Sequence, residues 1–186
     1  QNPLLLLGFC FQSSPSTHHI TLTFVYKSNT NMVADMSYST VSQVIESWEK
    51  IRRTENYEEK VGTRLFQRLF TLEPEAQRIF GFPKDMDPNS PDVLKSTRFI
   101  KHAKYFIQMI DKALSMLGPD IEILTEILLE LGEKHVRYGV KPEYFPSMGR
   151  ALIDTVQEAL GEKDFTSDIK ADWVEVYGAL SYDMIR

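Results

Sequence analysis

The 186-residue sequence predicts an all-α fold, and three observations carry that prediction. From Thr40 onward, apolar residues recur three and four positions apart, the spacing that gathers them on one face of a helix. Between these stretches stand short breaks where Pro, Gly, Asn and Asp collect, the residues that end helices and make turns. There is no internal repeat and no sustained heptad, which disfavours a solenoid or a long coiled coil and leaves a compact helical domain.

The first helix is expected from Thr40 to about Arg53, with Val41, Val44, Ile45, Trp48 and Ile51 at helical spacing. After a break at Thr54 to Asn56, a second helix carries Val61, Leu65, Phe66, Leu69 and Phe70 toward a core. Pro74 begins a short helical turn that ends near Phe80, and 81–89, with Pro83 and Pro88, form an irregular loop suited to the rim of a pocket. Ser90 followed by Pro91 opens the next helix, since the serine caps free amides and the proline lacks an N–H where none is needed. That helix is expected to run to about Leu117, where Gly118 and Pro119 stop it.

A further helix from Asp120 to about Val136 ends before Gly139, where a left-handed residue is expected. Pro142 opens the next, which reaches Leu160 and stops at Gly161; Pro146 removes one backbone donor in its first turns and is a place for a bend. Thr166 caps the last helix, with Ile169, Trp173, Val176, Tyr177, Leu180 and Met184 on one side. The count is seven to eight helices.

Residues 1–37 have a different character. Ser13, Ser14, Ser16, Thr17, Thr21 and Thr23 mix with Ser28, Asn29 and Asn31 without a helical period, so a disordered N-terminal extension is expected ahead of a domain at 38–186. His19 to Tyr26 alternates enough for a short strand, but a lone strand is marginal in water. Met32 and Met36 are both candidate native starts.

Composition narrows the function. The chain is 42% hydrophobic and 25% charged, as expected of a folded domain that needs no disulfide to hold a core. A net charge of -5 argues against nucleic acid as a partner, because such binders cluster Lys and Arg against phosphates. The apolar run from Leu4 to Phe11 falls far short of the roughly 20 residues that cross a bilayer. One cysteine, Cys10, excludes an intramolecular disulfide and fits a reducing, cytoplasmic setting. No G-x-G-x-x-G, Walker loop or C-x-x-C is present, and no E-x-x-H of the kind a carboxylate-bridged di-iron bundle requires.

Outside the first 37 residues there are two histidines, and each lies on the apolar stripe of its helix. His102 follows Phe99 by three residues and precedes Phe106 by four; His135 follows Leu124, Leu128 and Leu131. Either one alone reads most simply as a core histidine satisfied by a carbonyl, since an unpaired buried imidazole costs a few kcal/mol. Two of them on successive helices, with Phe66, Phe80, Phe99, Phe106 and Phe145 between or beside them, describe a flat apolar slot with a nitrogen ligand on each face. Haem fits such a slot.

The sequence also resembles the globin family, and within it the neuroglobin-like and cytoglobin-like branch, over about residues 41–184. The resemblance rests on the Trp48 segment, VGTRLFQRLFTLEPE from Val61 to Glu75, Phe80, FIKH from Phe99 to His102, LGEKHVRYGVK from Leu131 to Lys141, Phe145, and WVEVYGAL from Trp173 to Leu180. It implies the globin fold, oblique helices around a haem pocket. It also implies haem b as cofactor, His135 as proximal iron ligand, and His102 facing it as distal residue or sixth ligand. Phe66, Phe80, Phe99, Phe106, Val140 and Phe145 would line the pocket, and the second ring nitrogen of His135 would donate to a carbonyl near Leu131. Phe106 stands where the family more often has a smaller aliphatic residue, and Tyr105 where related chains place a lysine near a haem propionate, which turns attention to Lys104, Lys134 and Arg137.

Three functions follow as expectations. The leading one is reversible binding of O2, for storage, transport or sensing, with CO and NO as further ligands. The second is a hexacoordinate redox globin, active in NO dioxygenation, nitrite reduction or electron transfer with a reductase. The third is a haem-free helical interaction module whose histidines are structural.

Overall fold

The computed structural model describes Val33 and residues 36–185. The expected extension, the strand at His19 to Tyr26, Cys10 and Met32 therefore lie outside the described residues, apart from the last few positions of the extension. Among the described residues there are eight helices and no strand, so the domain is all-α. The helices are α1 (Tyr38–Arg52), α2 (Tyr57–Leu72), a 3-10 helix (Pro74–Phe80), α3 (Pro91–Leu94), α4 (Thr97–Met116), α5 (Ile121–Arg137), α6 (Tyr144–Leu160) and α7 (Ser167–Ile185).

Local chemistry explains most boundaries. Ser37 caps α1 by accepting from the Thr40 amide at 3.0 Å, so the helix starts two residues ahead of the expected Thr40; several neighbouring hydroxyls compete for that role in the sequence. Thr166 caps α7 through the Ile169 amide, as expected.

Two expectations need correction. The single helix predicted from Ser90 to Leu117 is divided, because Lys95 ends α3 and Ser96, in an extended conformation, caps α4 by accepting from the Phe99 amide. Pro146 is the third residue of α6, which begins at Tyr144 and not at Pro142; its missing N–H falls among the first-turn amides that have no intrahelical acceptor, so no bend is needed.

Burial on α7 also extends beyond the one side expected. Gly178, Ala179, Ser181 and Asp183 are buried together with Trp173, Val176, Tyr177 and Leu180. The reason is packing: α7 lies against α1, α5 and α6 at once. Its central contact is an edge-on pair of Trp48 and Trp173, 5.6 Å between ring centroids, with the Trp173 indole donating to Ser47 Oγ at 3.0 Å.

The second packing unit is α2 against α4 and α6. Gly62 makes the first of these crossings close, since a Cβ there would overlap the Ala103 carbonyl. That approach sets Phe66, one turn after Gly62, beside His102, the neighbour of Ala103. The fold thus places one sequence-predicted site residue against another by backbone contact between their helices.

Candidate functional site

The site is built from five helices. From α4 comes His102, whose ring stands edge-on to Phe66 at 5.3 Å and to Phe80 at 5.1 Å between centroids. Phe80 is the last residue of the 3-10 helix and Phe66 lies mid-way along α2. Phe106, half-buried one turn after His102, meets Phe66 edge-on at 5.7 Å. Phe99, one turn before His102, is fully buried and packs behind this wall with Phe66, Phe70, Phe80 and Phe82. The six phenylalanines form one continuous cluster, each ring presenting an edge to a neighbour's face as ring quadrupoles favour.

His135 comes from the last turn of α5. Its Nδ1 lies 2.8 Å from the Leu131 carbonyl oxygen. A carbonyl only accepts, so Nδ1 carries a hydrogen, and in the neutral ring Nε2 is the nitrogen that keeps a lone pair. Gly139 follows in a left-handed conformation, which turns the chain so that the Val140 amide donates to the His135 carbonyl at 3.0 Å. Phe145, in the first turn of α6, lies 6.4 Å from the His135 ring. Val140 and Phe145 are both half-buried.

Electrostatics links the two imidazoles. The pKa of His102 is lowered from 6.5 to about 4, first by burial, then by the repulsion of His135, then by Arg98. His102 is exposed on one side, yet enough protein packs around its ring for desolvation to be the largest cause. His102 is therefore neutral near pH 7, with one N–H and one lone pair, and within electrostatic reach of His135.

Among the described residues no cluster of three His, Cys, Asp or Glu side chains is positioned to hold a metal ion. Two imidazoles are the nitrogen donors at this place, a donor set that suits a metal whose remaining ligands come from a planar macrocycle. A cavity of about 560 Å3 lies elsewhere, lined by Val33, Met36, Val41, Ile45, Leu117 and Ile121. It has Glu46 but no histidine, and the chemistry of the two imidazoles outweighs its volume.

The structure also adds contacts that the sequence did not show. Arg98 sits one turn before His102, donates to the Ile79 carbonyl at 2.8 Å, and lowers the histidine's pKa; the four-residue spacing was the available signal. Tyr177 of α7 donates its hydroxyl to the Phe145 carbonyl at 2.7 Å and so holds the start of α6. The three cations considered for propionates each face a carboxylate: Lys104 with Glu59 at 3.9 Å, Lys134 with Glu130 at 2.8 Å, and Arg137 with Glu133 at 3.1 Å.

Comparison with known proteins agrees with the all-α fold described above. The globin family model matches residues 63–184. A neuroglobin of Tetraodon nigroviridis is 34% identical over 125 residues, covering 67% of this chain and 77% of that protein. A neuroglobin of Danio rerio is 32% identical over 143 residues, covering 76% of this chain and 85% of that protein.

Proposed function

Because this chain belongs to the globin family, we propose that it holds haem b between His135 and His102 and uses it to bind O2 reversibly. Globins carry haem and bind diatomic gases, and among the described residues no helix is long and apolar enough to cross a membrane. The finer assignments, to haem b, to O2 and to the cytoplasm, are our reading.

The observation that carries it is the His135 Nδ1 contact with the Leu131 carbonyl, which leaves Nε2 free to bind iron and fixes the ring that would do so. When bound, haem supplies a ferrous iron with an open coordination position for a diatomic gas. The chain's own residues then divide the work. The phenylalanine cluster and Val140 supply apolar cover; roughly 400 Å2 of macrocycle at about 25 cal/mol per Å2 is on the order of 10 kcal/mol, so contact retains the group and His135 orients it. Neutral His102 offers its N–H to a gas that gains negative charge, and Phe66 with Phe106 excludes water and larger molecules.

A second reading is favoured by a specific observation. His102, neutral near pH 7, carries a ring lone pair and lies within electrostatic reach of His135. If it occupies the sixth position itself, the protein is a hexacoordinate globin suited to NO dioxygenation, nitrite reduction or electron transfer with a reductase. With about one per cent of molecules open, apparent gas affinity falls about 100-fold.

Absorption spectra of the ferric, dithionite-reduced and CO-bound protein decide between these. A CO complex that is lost in His135→Ala supports the proposal, and split bands in the reduced protein that vanish in His102→Leu assign the hexacoordinate form. No Soret band after hemin addition would overturn both and leave a haem-free helical module.

A further inference from the structure

The helix that carries His135 has a single row of buried residues. Of the seventeen residues in α5, three are buried, Leu124, Leu128 and Gly132, four apart and therefore on one line along the helix. Its most extensive contact is with α7. Gly132 is the end of that row and stands three residues before His135. A Cβ placed there would overlap the Met184 carbonyl oxygen of α7, well inside the 3.0 Å that real Cβ contacts keep. The obstruction is backbone on both sides and cannot swing away.

Met184 lies near the end of α7. Gly132 comes close enough to its carbonyl for a Cα–H···O contact, weak but favourable, that only glycine permits at such range. Leu131, whose carbonyl holds the His135 ring, is the adjacent residue.

We propose that Gly132 is a positioning residue for His135: its close seating on the Met184 carbonyl lets the C-terminal end of α7 set where the proximal imidazole stands. The inference rests on the reading of His135 as iron ligand. A methyl group at 132 forces the end of α5 away from α7, and the Leu131 carbonyl and the His135 ring move with it. Ligand geometry tolerates little displacement, since misplacements near 1 Å are costly in built sites.

The test is made in a haem-loaded His102→Leu parent, whose ferrous iron is five-coordinate on either reading, and compares it with added Gly132→Ala and with added Asp111→Ala, which loosens α4 from Trp48 of α1 and Tyr57 of α2. The readouts are the iron–histidine stretching band of the ferrous protein by resonance Raman and the rate of haem loss to a scavenging apoglobin. A shifted band and about tenfold faster haem loss are expected with Gly132→Ala, with the band in place with Asp111→Ala. Removing residues 184–186 from Gly132→Ala takes away the obstructing carbonyl and should return the band toward its parent position.

An unmoved band in Gly132→Ala, or the same shift in Gly132→Ala and Asp111→Ala, would overturn the inference. If Gly132→Ala does not fold, the same truncation in the parent protein substitutes: faster amide exchange over 131–137 and a displaced band support the proposal, and an unchanged band refutes it. A band absent from this five-coordinate parent, or one that persists in His135→Ala, would overturn the ligand reading itself and this inference with it.

Discussion

His135 and Leu131 are joined within one turn of α5, imidazole Nδ1 to carbonyl oxygen at 2.8 Å, so the backbone selects the tautomer of the ring. Neutral histidines in water favour a hydrogen on Nε2, and here the carbonyl requires it on Nδ1. Nitrogen NMR of the haem-free protein is expected to show the neutral His135 ring protonated at Nδ1. A ring protonated at Nε2 would mean that the contact does not persist in solution, and the orientation argument for iron binding would fail.

Phe106 controls access to His102. It stands one turn away, half-buried and edge-on to Phe66. Phe106→Val removes several carbons from that wall and is expected to speed CO association several-fold while costing on the order of 1–2 kcal/mol of stability. Flash photolysis measures the first and urea unfolding the second. An association rate equal to that of the parent, with the stability loss present, would place Phe106 in the core and outside the ligand path.

Much of this was legible in the sequence, for reasons that differ by element. The stripes on α1, α2 and α4 follow the helical period because each has one buried face, so Trp48, Phe66 and Phe99 announce themselves. The break between α3 and α4 was not legible, because Ser96 caps a helix only once Lys95 has left the preceding one, and the apolar spacing runs on through the break. Nor was the burial of α7 on more than one side, which depends on three helices meeting there. At the site, the two histidines and their phenylalanines were visible as residue types on apolar stripes. Gly132 and Tyr177 were not, since their roles lie in contacts with backbone distant in sequence. A glycine within a helix is the one signal that could have pointed to the first.

Asp111 ties three elements together. One carboxylate oxygen accepts from the Trp48 indole at 2.5 Å and the other from the Tyr57 hydroxyl at 2.5 Å, with Arg52 3.5 Å away. Asp111→Ala leaves two donors without their acceptor and is expected to cost about 2–3 kcal/mol, measured by urea unfolding. The phenol of Tyr57 supplies a second readout. Its pKa is raised first by burial and then by the bond to Asp111, so absorbance titration should show it falling toward its ordinary value in the variant. A loss below about 0.5 kcal/mol would show that water replaces the carboxylate at no real cost.

The last prediction concerns acid. His102 has a folded-state pKa of about 4 against an ordinary 6.5, lowered by burial, by His135 and by Arg98. Between those values the unfolded chain binds a proton that the folded chain refuses, so stability must fall as pH falls. His102's contribution is complete above about 6.5 and is lost progressively down to about 4. Other groups also titrate in this range, and a difference measurement removes them. Urea unfolding of haem-free wild type and His102→Leu at steps from pH 7.5 to 4 should show the parent losing stability more steeply than the variant across that window. Parallel curves would mean that the ring is freely hydrated, which would remove the ground for treating it as neutral near pH 7 because of its surroundings.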